Sequence, residues 1–345
     1  MRIGYSFWGF LGPGITDTPD GGRSHRRPFV DALIADGHEI VFLQADRDRA
    51  EAGDILDYSF APDDFPEIDV LFLEWRWPIP GRNTTDCASP GHTCDLHRQN
   101  TLLHHYTASR RTPMVIWDKD RRLTADSPWR HDPGVAVCEA ALSPSPGATS
   151  LLFPVADEWL DNTTPEALAR TNRPLSLAYV GNQYDRDDTF DHYFAPAAVH
   201  VPHAVVGKWH NTTRWPHVTF LGRHGFHDAM RLYGRALATV LLLPRRYARA
   251  GQMTQRIFEA VLSGCLPLCP ADIRHAQRFV PPPLLVRTGS DVVHTLHRLR
   301  TEAGTDTHIQ LLADCVSRLE PFRLSRQVKV LNGLVNTLAP AGGVR

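Results

Sequence analysis

The chain has 345 residues, with 37 basic against 38 acidic side chains, a formal net charge of −1 and 42% hydrophobic residues. That length exceeds one ordinary core and suits two domains, while near-neutrality excludes a global field for nucleic acid or membranes. No apolar run approaches a membrane span, the N-terminal MRIGYSFWGF lacks a charged-then-apolar signal, and six cysteines spread from Cys87 to Cys315 suit reduced thiols, so the expected location is cytoplasmic.

Arg2 to Phe10 reads as a first strand, followed by a loop from Gly12 to Gly22 with four glycines, two prolines and two aspartates. A helix from Ser24 to Asp36 ends at Gly37, and His38 to Leu43 forms the second strand. Strand, flexible loop and helix together open a Rossmann-like unit, and Gly21 and Gly22 let the backbone approach a ligand closely. Ile68 to Glu74 is a strongly apolar third strand that delivers EWRWPIPGRNTTD at its carboxyl end. Ligands sit at the carboxyl ends of parallel strands, so Glu74, Trp75, Arg76 and Trp77 are candidates to line a substrate site; aromatic packing at a strand end is the alternative. CASPGHTCDLH gathers Cys87, His92, Cys94 and His97, metal-type ligands at tight spacing. Without a Cys-x-x-Cys pair, the stretch reads as a loop leading into a helix from Gln99 to Ser109, with a zinc site as the less favoured alternative. Pro113 to Trp117 is the next strand and places Asp118, Lys119 and Asp120 at its carboxyl end, where a carboxylate can deprotonate a hydroxyl or simply belong to a charged turn. Val135 to Leu142 and Ser150 to Pro154 close this half, and Pro165 to Pro174 reads as a linker.

The second half repeats the pattern. Leu175 to Val180 is its first strand, and GNQYDRDDTF beyond it offers Gly181 for close approach to phosphate and Arg186 to bind it. Val199 to Val206 is a strand that carries Lys208 past its end; Val218 to Leu221 is another, and Arg223 follows in a turn. Met230 to Leu237 is helical and Ala238 to Leu243 is a pure apolar strand. In Gly251 to Pro270, Met253, Ile257, Phe258, Val261 and Leu262 recur at helical spacing on one face, while Gln252, Arg256, Glu259 and Ser263 form a polar ridge on the other. Gly264 suits the left-handed residue that ends a helix, and Cys265 to Cys269 reads as a buried strand. On that ridge a carboxylate can accept ribose hydroxyls while a guanidinium and the amides of Gln252, Thr254 and Gln255 hold phosphate; a solvated i,i+3 pair is the alternative. Helices from Ile273 to Phe279 and from Asp291 to Thr301, a strand from Pro283 to Arg287 and a largely helical tail from Thr307 to Leu338 complete the chain.

The phrase RIFEAVLSGCLPL resembles the donor-binding helix of GT-B glycosyltransferases, and TQRIFEA is most similar to the spore-maturation-protein-like, family-4-like branch. GGRSHRRPFVDALIADGHEIVFL resembles the acceptor-domain opening of those enzymes, which makes His25 the residue that matters most there, and GNQYDRDDTF resembles the donor-domain opening. Many retaining members carry a second glutamate eight positions before the first; Gly251 stands there, so the stereochemical outcome stays open. The resemblance implies an α/β fold of two Rossmann-like domains with parallel sheets facing a central cleft: residues 1–170 for the acceptor, 171–320 for the nucleotide-sugar donor, and a tail, 321–345, packing back on the first. It further implies a transferase that moves a sugar from a UDP- or GDP-sugar to a hydroxyl or amine of a small-molecule or polymer acceptor, with no metal and no tightly bound cofactor. His25, Asp118 and Glu74 are the expected catalytic groups; Gly181, Arg186, Lys208, Arg223, Gln252, Thr254, Gln255, Arg256 and Glu259 the donor-binding ones; Gly21, Gly22, Trp75 and Arg76 the acceptor-binding ones. A nucleotide-sugar epimerase or hydrolase of the same fold, and a glycosyltransferase or binding module acting on nucleic-acid bases, are the alternatives, the latter opposed by overall neutrality.

Overall fold

The computed structural model describes residues 1–16 and 22–338; Gly21 lies outside them. Two all-parallel sheets form its framework. The first holds β1 (Arg2–Ser6), β2 (Glu39–Phe42), β3 (Ser59–Phe60), β4 (Val70–Glu74), β5 (Met114–Asp118), β6 (Val135–Glu139) and β7 (Ala148–Ser150), in the order β3-β2-β1-β4-β5-β6-β7. Its central strands, VLFLE and MVIWD, are buried along their whole length, as continuous apolar runs must be when both sheet faces are covered. The second holds β8 (Leu175–Val180), β9 (His203–Val206), β10 (Ala236–Val240), β11 (Leu266–Pro270) and β12 (Leu285–Val286), in the order β12-β11-β10-β8-β9. Strand order reverses direction between β1 and β4 in one sheet and between β8 and β10 in the other, and such switch points are where open α/β sheets bind ligands.

The chain forms two compact units. One comprises Met1–Phe10, Phe29–Leu152 and the chain from Ser325 onward, with the seven-stranded sheet; the other comprises Leu11–Pro28 and Phe153–Leu324, with the five-stranded sheet. No helix among the described residues is long and apolar enough to cross a membrane.

Several elements differ from their sequence-based outlines for identifiable reasons. The expected strand from Val218 to Leu221 contracts to one bridge, Val205 to Phe220, because Pro216 precedes it and Gly222 turns the chain left-handed at φ 77°. Ser24 to Arg26 are not in the first α-helix; they lie in a π-turn, Gly22–Arg26, that leads into the helix Arg27–Ala35. Pro165–Ala169, inside the stretch read as a linker, is a short helix. The helix before β11 is Arg256–Val261, because Gly251, at φ 61°, and Gln252 close the preceding turn through their amides onto Ala248 and Tyr247. Gly264 takes the left-handed position, φ 76°, that its sequence context suggests.

Candidate active site

In the five-stranded unit, β8 ends against two glycines. A Cβ on Gly207 would lie 2.2 Å from the carbonyl oxygen of Gly181, so that position takes no side chain without moving backbone, and one on Gly181 would lie 2.5 Å from the Tyr179 hydroxyl and have to displace that ring. The loops after β8 and β9 are then stitched together: the Gly181 amide donates to Val206 (2.8 Å), the Gln183 amide to Lys208 (2.8 Å), and the Lys208 amide to Asn182 Oδ1 (2.8 Å). Lys208 contributes its backbone to this joint.

Arg186 is buried at 5% exposure just beyond it. One guanidinium nitrogen donates to the Asn182 carbonyl, and Nε has no hydrogen-bond partner among the described residues. Burial pushes the Arg186 pKa down, and the nearby Arg256 and Arg246 guanidiniums push the same way. Arg256 donates from Nε to the Val180 carbonyl at 2.8 Å, at the last residue of β8. Arg246 pairs with Asp185 at 2.5 Å and lies over the rings of Tyr184 and Tyr247. Gln183, Arg186, Thr189 and Arg246 help line a cavity of about 580 Å³. A buried guanidinium with an unused donor beside like charges is costly until an anion meets it.

Glu259, on the helix Arg256–Val261, is 2% exposed and accepts a hydrogen bond from Ser24 Oγ at 2.5 Å. Burial raises its carboxyl pKa, against the opposing pull of the Ser24 hydroxyl and the Arg256 and Arg23 guanidiniums. The solvated-pair alternative fails on this burial. His25 is also buried in the same unit, edge-on to Phe153 with ring centroids 5.0 Å apart. Gly22, Gln252, Thr254 and Gln255 are buried nearby in sequence, while Arg223 is exposed in its turn. Nothing in the sequence marks Ser24 as more than the start of the expected first helix, yet it is the residue that holds Glu259.

In the seven-stranded unit, Glu74 ends β4 fully buried. Tyr5 on β1 donates to its Oε1 at 2.7 Å, while Lys119 and Arg76 approach Oε2 at 2.5 and 3.8 Å. Arg76 is anchored through its backbone amide and carbonyl to the Gln99 side chain, at 2.7 and 3.1 Å. Trp75 packs against the core between β4 and its helices. Asp118, also fully buried, spends both carboxylate oxygens on the amides of Arg122 and Leu123, at 2.9 and 2.8 Å, so its visible task is to hold the turn after β5. Burial raises its pKa, and those two amides oppose the shift. A pocket of about 360 Å³ opens at the ends of β1 and β4, lined in part by Ser6, Trp8, Arg76, Cys94, His97 and Arg98.

No known family profile matches this sequence, and no curated protein matches it. Solved structures do. T4 phage BGT in complex with UDP-glucose is 12% identical with a TM-score of 0.65, over 97% of this chain and 100% of that one. AviGT4, a glycosyltransferase involved in avilamycin A biosynthesis, is 12% identical at 0.59, over 99% and 98%. Anabaena Alr3699/HepE in complex with UDP and glucose is 10% identical at 0.55, over 97% and 99%. The chain therefore has the GT-B fold, with Rossmann-like parallel sheets in both units.

Proposed function

We propose that the chain is a glycosyltransferase that moves a sugar from a nucleotide-diphosphate sugar to a hydroxyl or amine acceptor. The observation that carries this reading is the group at the switch point of the second sheet, where Arg186 and Arg256 are held at the end of β8 and Glu259 is buried on the helix before β11. Arg186 and Arg256 bind the diphosphate and offset the charge that develops on it as it leaves, so that step needs no metal ion. Glu259 accepts the ribose hydroxyls, with Ser24 fixing its orientation. Gly181, Lys208, Gln252, Thr254 and Gln255 supply backbone and side-chain contacts around the nucleotide, and Arg223 reaches its base. In the seven-stranded unit Glu74, held by Tyr5 and Lys119, takes the acceptor proton, and Trp75, Arg76 and the Asp118 turn position the acceptor.

UDP-sugars are the first donors to test, since neighbours of this fold were solved with UDP or UDP-glucose. One neighbour is described as a DNA modifying enzyme and one was solved with UDP and Mn2+, so duplex DNA belongs among the acceptors tried and Mn2+ among the additions. Calorimetric titration with UDP and GDP decides the core of the reading. Glu259→Ala and Arg256→Ala should each weaken nucleotide-diphosphate binding by about 1.5–3 kcal/mol, roughly 10- to 150-fold, with the fold intact. Parent-like affinity in both variants overturns it. Release of free sugar or of an epimer without any acceptor would replace transfer by hydrolysis or epimerisation.

A further inference from the structure

The loop between β4 and the helix Asp95–Leu103 has a chemistry that sugar transfer does not use. Cys87, His92 and Cys94 offer ligand atoms that all lie within 4.8 Å of one another, the only such group among the described residues. His97 Nδ1 lies 3.6 Å from Cys87 Sγ. In a tetrahedral zinc site with Zn–S near 2.3 Å and Zn–N near 2.0 Å, ligand atoms stand roughly 3.3–3.8 Å apart; the Cys87–His97 pair already has that spacing, and the Cys87, His92 and Cys94 atoms, none more than 4.8 Å from another, approach it. His92 is already oriented: Nδ1 meets Thr85 Oγ1 at 3.1 Å, while Nε2 is buried with no hydrogen-bond partner. That is the usual state of a metal-ligating histidine, one ring nitrogen fixed by an outer partner and the other presented.

The surrounding chain holds the ligands in place without using them. Asp95 ties the loop by accepting from Arg82 (3.0 Å), Asn83 (3.4 Å) and Thr93 (2.7 Å), and the Thr93 amide returns to the Arg82 carbonyl at 2.8 Å. Cys94 stands at the N-cap of the helix yet makes no capping hydrogen bond with its side chain. Both cysteines are exposed, which leaves an ion a path in. The spacing lacks a Cys-x-x-Cys pair, and the fold supplies the closeness that the spacing does not.

We propose that Cys87, His92, Cys94 and His97 bind one Zn2+ ion as a structural Cys2His2 site that fixes the wall of the 360 Å³ pocket to which Cys94 and His97 belong. Binding releases the thiol protons, forms two Zn–S and two Zn–N bonds, and needs no redox partner. The site belongs to the seven-stranded unit, apart from the Arg186, Arg256 and Glu259 group of the other, so it stands or falls independently of the donor reading.

The test uses the full chain, reduced and stripped of metal, titrated with Co2+ and then Zn2+. One equivalent of Co2+ should give thiolate-to-metal charge transfer in the near ultraviolet and intense visible bands typical of tetrahedral geometry, and one equivalent of Zn2+ should abolish both. Cys87→Ser and Cys94→Ser should each lose the charge-transfer intensity, with unchanged far-ultraviolet circular dichroism showing the chain still folds. Thr85→Val should keep the spectrum and weaken Zn2+ about 10-fold, as loss of an outer partner does. Absence of the bands at stoichiometric Co2+, their persistence in the Cys87→Ser, Cys94→Ser double variant, or recovery of a Cys87–Cys94 disulfide from protein kept with Zn2+ and glutathione would each overturn the proposal.

Discussion

Glu259 carries a conflict that a single substitution can expose. It is a carboxyl group placed in a fully buried position, and burial raises its pKa above the usual value near 4.5 despite the Ser24 hydroxyl and two guanidiniums. A carboxyl whose folded pKa is raised binds its proton more tightly in the folded chain than in the unfolded one. Its contribution to stability is therefore complete below the unfolded value and is lost as pH rises through the folded one. At neutral pH, above the unfolded value, the raised pKa opposes folding in the absence of ligand, and Glu259→Gln should stabilise the ligand-free protein while weakening nucleotide binding. The gain should shrink to nothing at about pH 4, where the unfolded group also takes up its proton. Urea unfolding at both pH values checks this; a variant no more stable than the parent at neutral pH would mean that Ser24, Arg256 and Arg23 fully compensate the charge. None of this was legible in the local sequence. The ridge spacing marked Glu259, but its partner Ser24 lies 235 positions away, with no periodic signal to connect them.

At the scale of elements, what the sequence revealed follows from where the apolar runs are. Strands such as VLFLE and MVIWD are buried from end to end, so uninterrupted hydrophobicity located them to within two residues. Helix ends set by backbone turns were harder to see: the helix Arg256–Val261 starts late because Gly251 and Gln252 bend back onto Ala248 and Tyr247, a decision made by hydrogen bonds rather than by periodicity. The strand expected at Val218 to Leu221 failed for want of length, although its residues still pair with Val205 through bonds at 2.9 and 2.8 Å. The junction of the β8 and β9 loops gives the element-scale prediction. Gly207 has φ 141° and faces the Gly181 carbonyl so closely that a methyl group cannot fit without moving backbone. Gly207→Ala should cost about 1–3 kcal/mol of stability, the usual range for overpacking, and should also shift the Gly181 to Arg186 loop and lower nucleotide affinity. Gly234→Ala is the control, since a methyl group there meets nothing within 4 Å. Equal thermal stability of the two variants would show that the loops part without cost.

For the whole molecule, the consequential feature is that neither unit is a continuous stretch of chain. The segment Leu11–Pro28 belongs with the five-stranded unit, and the chain from Ser325 onward returns to the seven-stranded one. That return is substantial. Val328, Leu331 and Val335 on the helix Leu324–Leu338 are buried, Gln327 Oε1 receives the Leu152 amide at 2.8 Å, and Asn332 bonds His38 and Asp36 at 3.1 and 2.8 Å. Burying three such aliphatic side chains contributes roughly 1.5–3 kcal/mol each, enough to be a large share of a domain's net stability. A fragment ending at Leu152 should therefore fold poorly, with exchange-exposed amides in Arg27–Ala35 and β1. Fusing residues 325–345 behind it through a flexible linker should restore cooperative unfolding. The complementary fragment, 153–324, retains Glu259 but lacks Ser24, so it should bind nucleotide more weakly than the full chain even where its sheet forms. Hydrogen exchange and denaturant unfolding of the three fragments decide the matter. If the fragment ending at Leu152 unfolds as cooperatively as the fusion, the returning helix is peripheral to the first unit, and the aliphatic contacts along Val328, Leu331 and Val335 contribute little to holding that unit together.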